Sequence, residues 1–125
     1  MAEQPKKKIL VVDDEVDIVN LIKDYLEINN YSVITATDGD TALKLAFAEK
    51  PDLITLDIMM GNKDGYETCL LLRENEGTNH IPIIIITGRS TKQAEQAAAS
   101  FGADMYLSKP FELQELSNLI KRFIG

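Results

Sequence analysis

The stretch KILVVDDE, residues 8–15, joins a short apolar run to three consecutive acidic residues. Its Ile, Leu, Val and Val residues are typical of a β-strand that is buried on both faces of a sheet. Like charges as close as those of Asp13, Asp14 and Glu15 repel one another and cost stability unless something compensates them. The stretch therefore predicts either a solvated turn or a cation-binding site at the end of a core strand.

The composition predicts one globular domain that spans residues 1–125, with residues 1–7 as a flexible lead-in. Hydrophobic residues make up 45% of the 125 residues and charged residues 26%, which is enough apolar material for a sizeable core. The net charge of −7 disfavours direct binding to nucleic acid or to an anionic membrane.

The apolar runs are short, and cysteine is rare. No run is long enough to span a bilayer, and the N-terminus has no apolar segment behind its lysines, so no secretory signal is predicted. Cys69 is the only cysteine, which excludes an intramolecular disulfide and favours a cytoplasmic location. Its apolar helical surroundings predict an inert core thiol.

Strand and helix patterns alternate five times along the chain, which predicts a parallel sheet with helices on both faces. Apolar runs rich in Val, Ile and Leu predict strands at 8–12, 32–36, 52–56, 83–87 and 105–107. Amphipathic patterns predict helices at 17–29, 41–49, 67–74, 91–101 and 113–124, the second with Asp40 as its N-cap.

Polar residues follow four of the five predicted strands. In an open parallel sheet, ligands bind at the carboxyl ends of the strands, so these residues are candidates for a site. Taken alone, each is more often a turn former or a loop residue, but their joint placement favours a function. They are Asp13, Asp14, Asp57, Thr87 and Lys109.

This set of groups suits phosphoryl transfer. Carboxylates are ligands for Mg²⁺, which typically takes one or two of them together with a phosphate. Lys109 can pair with a carboxylate or a phosphate oxygen, and the Thr87 hydroxyl can donate to an oxyanion, with Gly88 leaving its approach open. A carboxylate can also attack phosphorus as a nucleophile. The pattern therefore predicts transfer of a phosphoryl group onto an aspartate, with Mg²⁺ and Lys109 balancing the charge.

The same residues carry a family resemblance that covers essentially the whole chain. The chain resembles the receiver domain of two-component response regulators, in the motifs ILVVDDE (9–15), TLDIMMGNKDGYE (55–67), IPIIIITG (81–88) and GADMYLSKPF (102–111). The resemblance implies a flavodoxin-like, doubly wound sheet of five parallel strands in the order 2-1-3-4-5. It also matches Asp64 and Gly65 to the turn before the third helix.

The resemblance also implies a role for each site residue. Asp57 would be the phosphoacceptor. Asp14 would bind Mg²⁺ directly, Asp13 through water and Met59 through its backbone carbonyl, and Mn²⁺ could take the place of Mg²⁺. Thr87 and Lys109 would sense the phosphoryl group, Tyr106 would be the aromatic switch, and the Lys109–Pro110 bond would be cis.

The implied function is a signalling switch, and the chain would act as an enzyme only on its own phosphorylation and dephosphorylation. A histidine kinase or a histidine phosphotransfer protein would donate to Asp57. A downstream protein would then bind the face formed by the fourth helix, fifth strand and fifth helix. The sequence leaves open which kinase and target these are, and whether the chain is a stand-alone regulator, a relay protein or a domain of a larger protein.

Two departures from the family pattern, and one pair of residues that the family places beside the phosphoryl group, have consequences. Gly61 replaces a frequent proline and predicts a looser loop after Asp57. Met105 replaces an acidic residue that supports charge-paired dimers, so it is either an apolar docking patch or partly core. Met59 and Arg89 would flank the path of the hydrolytic water and predict slow loss of the phosphoryl group.

Two other function classes remain open on the sequence. An aspartate-dependent phosphatase would usually carry a second aspartate two residues after the nucleophile, where this chain has Met59. A degenerate receiver used only for docking would have lost Asp14, Asp57 or Lys109, and all three are present. The glycines form no nucleotide P-loop, and His80 has no partner of its kind for a zinc site.

Overall fold

Five parallel strands alternate with five helices in the computed structural model, which describes residues 6–58, 65–88 and 92–125. The strands are β1 Lys8–Val12, β2 Ser32–Ala36, β3 Leu53–Asp57, β4 Ile83–Thr87 and β5 Met105–Ser108. The helices are α1 Val16–Ile28, α2 Gly39–Glu49, α3 Gly65–Glu74, α4 Lys92–Ser100 and α5 Leu113–Ile124. The strands pair in the order 2-1-3-4-5, which confirms the predicted doubly wound, flavodoxin-like sheet.

Two apolar layers hold the sheet between the helices. Successive side chains of a strand point to opposite faces, so Ile9 and Val11 enter one layer while Leu10 and Val12 enter the other. The first layer, here called the α1/α5 layer, includes Ile22 of α1. The second, here called the α2–α4 layer, is built with side chains of those three helices. Burial on both faces explains why the strands lack polar alternation.

Central and edge strands differ in burial. All residues of β3 and β4 are buried, as is β1 after its first residue, which confirms the prediction for these strands. In β2 and β5 most residues are only half-buried. An edge strand has a neighbour on one side only, so its covering is thinner. The sheet continues one residue before β1, where the Lys7 carbonyl accepts from the Ser32 N–H at 2.9 Å.

The third strand ends one residue later than predicted. Asp57 is the last residue of β3 and lies opposite Ile86 of β4, so it belongs to the sheet and not to the loop after it. Asp52, predicted as the first strand residue, lies before β3, where its carboxylate accepts from the Lys8 N–H at 2.8 Å.

The prediction that Asp40 is the N-cap of α2 is wrong. The helix begins at Gly39, and the capping carboxylate belongs to Asp38, which accepts from the Thr41 N–H at 2.7 Å. Asp38 has the extended backbone expected of a cap, and the two hydrogen bonds from Thr41 lower the pKa of its carboxyl group. Aspartates at 38 and 40 both fit the local pattern, so only the position of the helix on the sheet decides between them.

Only some of the apolar residues in the pattern that predicts α1 are buried. Val19, Ile22 and Leu26 are buried, whereas Leu21 is 54% exposed. No helix within the described ranges is both long enough and apolar enough to cross a membrane.

Cys69 is buried in the α2–α4 layer, as predicted. Its thiol donates to the Phe101 carbonyl at 3.2 Å, and burial raises its pKa to about 11. The thiolate needed for reaction is therefore scarce at neutral pH.

Candidate functional site

Three carboxylates meet at the carboxyl-terminal edge of the sheet. Asp13 and Asp14 follow β1, and Asp57 ends the neighbouring β3. One oxygen from each lies within 4.8 Å of the others. Asp13 and Asp57 are buried, at 2% and 4% exposure, whereas Asp14 is exposed. The structure thus brings together the three acidic residues that the sequence singles out.

Backbone contacts fix Asp13 at this edge. Its N–H donates to the Ala36 carbonyl of β2 at 3.2 Å, and its carboxylate accepts from the Glu15 N–H at 3.0 Å. The chain therefore turns from β1 into α1 around the Asp13 side chain. One carboxylate oxygen is used in the turn, and the other points to the remaining groups of the site.

Lys109 spans the carboxylates. Its backbone N–H donates to the Thr87 carbonyl at 2.7 Å, and its bond to Pro110 is cis, as the resemblance implies. Its ammonium group donates to Asp13 at 2.7 Å and to Asp57 at 3.4 Å. A cation from the protein itself thus lies between the two buried anions and partly offsets their repulsion.

The pKa of Lys109 reflects this environment. Burial lowers it, but the hydrogen bond to Asp13 and the negative charges of Asp57 and Asp13 outweigh burial, and the net pKa is raised. A raised pKa means that the ammonium stabilises the folded state at every pH below the ordinary lysine value. That contribution is lost as the pH rises through the higher value of the folded protein.

The acidic cluster has the chemistry of a magnesium site. Its ligands are hard oxygens, at least one carboxylate faces solvent, and bound water could complete an octahedral shell. Asp14 is suited to direct contact because it is exposed, whereas Asp13 already has the Lys109 ammonium on one oxygen and a backbone N–H on the other. The residues present therefore fit Mg²⁺.

Thr87 and Gly88 border the site on the side of β4. Thr87 is the last residue of that strand, is fully buried and lies opposite Ser108 in β5. Gly88 is exposed, and a Cβ at its position would meet nothing within 4 Å. Among the described residues, nothing therefore obstructs the approach to the threonine at Gly88.

Tyr106 lies on β5, half-buried and packed against the α2–α4 layer. Its hydroxyl is buried and has no hydrogen-bond partner among the described residues. A buried hydroxyl without a partner costs free energy, so a conformation that gives it one would be favoured on that account. The role of Tyr106 as the aromatic switch stays a prediction.

Some predicted site residues lie outside the described ranges. They are Met59, Gly61, Asp64 and Arg89, so the predictions for the metal-binding carbonyl, the loop after Asp57, the first half of the turn and the water path stay predictions. Met105 lies within the described ranges and is half-buried against the α1/α5 layer, which agrees with the prediction that it is partly core. Its use as a docking patch stays a prediction.

The sequence reasoning missed the role of Gly65 in supporting the site. Gly65 begins α3, and its N–H donates to the Ile58 carbonyl at 3.1 Å. A Cβ at this position would lie 2.6 Å from the backbone carbonyl oxygen of Asp57, which no side chain could tolerate. The aspartate–glycine pair before a helical pattern was the available signal, but it indicates only a turn and not what the turn packs against.

Comparison with known protein families gives a match over most of the chain. The family described as the response regulator receiver domain matches residues 9–121. The alkaline phosphatase synthesis transcriptional regulatory protein PhoP of Bacillus subtilis is 44% identical over 118 residues, 94% of this chain and 48% of that protein. The response regulator ArlR of Staphylococcus saprophyticus is 40% identical over 117 residues, 94% of this chain and 52% of that protein.

Solved structures of receiver domains have the same fold. The chemotaxis protein CheY4 of Vibrio cholerae superposes with a TM-score of 0.90 at 30% identity, covering 94% of this chain and 98% of that one. The receiver domain of a sensor histidine kinase from Pseudomonas aeruginosa, described with a magnesium ion in its active site cleft, gives 0.89 at 29% identity, covering 96% and 98%.

The chain spans about half the length of the curated relatives reported above. One of them is described as a transcriptional regulatory protein, so the prediction that no nucleic acid is bound directly stays a prediction. What the relatives share with this chain is the part that contains the acidic cluster, Thr87 and Lys109.

Proposed function

The chain belongs to the response regulator receiver domain family, and on this premise we propose that it is a signalling switch controlled by phosphorylation of Asp57. The observation that carries the proposal is the convergence of three carboxylates with one ammonium group at a single edge of the sheet. Of the three, Asp57 is the candidate acceptor because it ends the central strand, is nearly buried and contacts Lys109 less closely than Asp13 does.

The proposed reaction is a transfer between two nucleophiles. An oxygen of Asp57 forms the new bond to phosphorus while the bond from phosphorus to the donor histidine nitrogen breaks, and that nitrogen keeps the electron pair. Bound Mg²⁺ would neutralise charge that develops on the phosphoryl oxygens. Lys109 would move its ammonium from the Asp57 carboxylate to a phosphoryl oxygen while it keeps its contact with Asp13.

The donor is proposed to be a histidine kinase or a histidine phosphotransfer protein in the cytoplasm. An apolar crevice of about 350 Å³ lies beside Lys109 and is lined in part by Ile18, Leu21 and Phe111. Because Lys109 both lines this crevice and contacts Asp57, a protein that brings a phosphohistidine to Asp57 would cover it. The exposed Leu21 side chain would then be buried against that protein.

The output is proposed to be a change of surface on α4, β5 and α5. Phosphoryl oxygens on Asp57 would attract the Thr87 hydroxyl, and Tyr106 would turn into the space that Thr87 leaves. Tyr106 lines an open groove of about 630 Å³ between these elements, together with Glu95 and Glu115. A turn of the ring would therefore change the shape of the groove that a downstream protein contacts.

The central test is labelling with a small phosphodonor in the presence of Mg²⁺. Intact mass spectrometry should detect one added phosphoryl group on the wild-type protein and none on Asp57→Asn, which keeps the shape of the side chain but not its nucleophilic charge. Fast release of free phosphate without an adduct would indicate a phosphatase instead. No reaction at all would indicate a domain used only for docking.

A second variant tests the switch separately from the chemistry. Thr87→Ala removes the hydroxyl that senses the phosphoryl group but none of the groups that accept it. Labelling should therefore remain largely intact, while the change on α4, β5 and α5 is lost. If Thr87→Ala kept the full change, the switch would not run through this hydroxyl.

A further inference from the structure

The first residue of α3 packs directly on the backbone of Asp57. The space between Gly65 and the Asp57 carbonyl is too small for a Cβ, and a hydrogen bond from Gly65 to Ile58 closes the contact. Two backbones packed this closely cannot move independently. A displacement of Asp57 is therefore passed to the beginning of α3.

The next residue, Tyr66, connects the beginning of α3 to α4. Tyr66 is half-buried, and its ring stacks on that of Phe101 with centroids 5.1 Å apart. Its hydroxyl donates to the Ala94 carbonyl at 3.2 Å, within the first turn of α4. Ala94 is also only seven positions after Thr87 along the chain. Tyr66 thus joins the backbone beside Asp57 to the part of α4 that follows the proposed switch threonine.

The segment that follows α4 is held by charged groups. Arg73, on the same helix as Tyr66, donates to the Gly102 carbonyl at 2.8 Å and to the Ile81 carbonyl at 2.6 Å. It also forms an ion pair with Asp104 at 2.7 Å, and Asp104 accepts from the Ile83 N–H at 2.9 Å. Hydrogen bonds from a guanidinium group are stronger than one between a neutral hydroxyl and a carbonyl. Charged groups therefore hold the segment after α4, whereas the contact that Tyr66 makes with the first turn of α4 is a neutral one.

We propose that Tyr66 is a positioning residue that couples the state of Asp57 to α4. Its hydrogen bond to Ala94 holds the first turn of α4 in the unphosphorylated position. When Asp57 carries a phosphoryl group, this bond breaks and α4 pivots about its last turn, which leads into the segment that Arg73 holds. The inference rests on the proposed function but adds a second route, through α3, to the route through Thr87 and Tyr106.

Loss of the Tyr66 hydrogen bond should change the affinity of Asp57 for a phosphoryl mimic. If the Tyr66 hydrogen bond exists only in the unphosphorylated state, its removal shifts the equilibrium towards the phosphorylated conformation. Linkage then requires that a phosphoryl mimic binds more tightly to Tyr66→Phe. The gain should be about two- to tenfold, which corresponds to the net worth of one neutral hydrogen bond.

The experiment is a titration with beryllofluoride, a mimic of the aspartyl phosphate, at constant Mg²⁺, followed by amide NMR. Tyr66→Phe should bind two- to tenfold more tightly than wild type. Before beryllofluoride is added, its α4 amide signals should already lie part of the way towards the wild-type bound positions. Tyr25→Phe is the matched control, because it also removes one tyrosine hydroxyl, but one that donates to Gln114 at 3.3 Å and joins α1 to α5 instead of α3 to α4. Tyr25→Phe should bind beryllofluoride with the same affinity as wild type.

The same spectra test the pivot. On binding to wild type, the amide signal of Ala94 should move further than those of Gly102 and Asp104. Equal movement at both ends would overturn the pivot. An unchanged or weaker affinity in Tyr66→Phe, even with a lower melting temperature, would overturn the coupling role and leave a purely structural one.

Failure of the inference can be told apart from failure of the proposed function. If wild type binds beryllofluoride and Asp57→Asn does not, the site works as proposed, and an unchanged Tyr66→Phe refutes the coupling alone. If wild type does not bind beryllofluoride at all, the proposed function fails, and the coupling fails with it.

Discussion

The ammonium group of Lys109 lies 2.7 Å from a carboxylate oxygen of Asp13, although 96 positions of sequence separate the two residues. Both side chains are largely buried, at 20% and 3% exposure. Water therefore screens this pair weakly, and each charge depends on the other for compensation. The same ammonium reaches Asp57, so one lysine balances two of the three acidic residues at this edge.

Removal of the Lys109 charge should destabilise the metal-free protein. In Lys109→Met, the buried Asp13 and Asp57 carboxylates lose the ammonium group that contacts both of them, so the free energy of unfolding should fall by about 2–4 kcal/mol. Urea denaturation in the presence of a chelator measures this loss. Saturating Mg²⁺ should recover part of it, because the metal replaces the missing positive charge.

The control for this variant is Lys23→Met. Lys23 forms an exposed ion pair with Glu27 at 3.0 Å on the surface of α1, so its loss should cost about 0.5 kcal/mol or less. If Lys109→Met lost no more than Lys23→Met, the buried pair would not compensate charge in the way that the distances indicate.

Magnesium should stabilise the wild-type protein through Asp14. A ligand that binds only the folded state raises its stability by mass action, so the melting temperature should rise with Mg²⁺ concentration. In Asp14→Asn, which loses the exposed carboxylate of the cluster, most of this rise should be absent. Calorimetric melts with and without Mg²⁺ provide the comparison, and an equal rise in both proteins would remove Asp14 from the metal site.

Asp38, not Asp40, should stabilise the beginning of α2. Asp38→Ala should lower the free energy of unfolding at neutral pH by about 1 kcal/mol, because the Thr41 N–H loses its acceptor. Asp40→Ala is the matched control and should cost less. Larger destabilisation by Asp40→Ala would contradict the observed cap.

The effect of Asp38 should depend on pH in a defined direction. The pKa of its carboxyl group is lowered from 3.8, mainly by the Thr41 hydrogen bonds, so the charged form stabilises the fold above that value. This contribution is lost as the pH falls through the lower pKa of the folded state. The difference between wild type and Asp38→Asn, measured by urea denaturation, should therefore narrow as the pH falls below 3.8.

Replacement of Thr55, in the central strand β3, by valine should stabilise the protein. Its side chain is buried, and the hydroxyl has no hydrogen-bond partner among the described residues. Thr55→Val exchanges this hydroxyl for a methyl group of similar shape, so the free energy of unfolding should rise by about 1 kcal/mol. Denaturant titration measures the change.

Thr78→Val should have the opposite effect on stability, although Thr78 is buried to the same extent as Thr55. The Thr78 hydroxyl donates to the Leu72 carbonyl at 2.7 Å, so its removal should destabilise the protein by about 1–2 kcal/mol. If both variants changed stability in the same direction, hydrogen bonding would not explain the difference between the two sites.

The lifetime of the phosphoryl group should depend on Met59 and Arg89. Methionine cannot orient a water for attack on phosphorus, and arginine can pair with a phosphoryl oxygen, so wild type should lose its phosphoryl group slowly. The double variant Met59→Asn and Arg89→Glu should lose it faster, as followed by the decay of the phosphorylated mass. An equal or slower decay would mean that these side chains do not control the access of water.

The sequence alone was sufficient for most of the sheet and for the meeting of the three acidic residues. The strand pattern of β1, β2 and β4 matched the structure to the residue, because burial on both faces requires continuous apolar runs. The meeting of Asp13, Asp14 and Asp57 could be predicted because the carboxyl ends of parallel strands lie at one edge of a sheet. Neither inference needs knowledge of individual side-chain contacts.

Tertiary structure decided which of several locally equivalent groups make contact. Asp38 and Asp40 both suit a helix cap, Leu21 belongs to the apolar pattern of α1 but is exposed, and nothing near Tyr66 in sequence indicates that it reaches Ala94. Periodicity fixes the face of an element on which a residue lies, but not how far that element is shifted or rotated against its neighbours. That placement depends on the packing of side chains distant in sequence, and it is what selects the hydrogen bonds of the site.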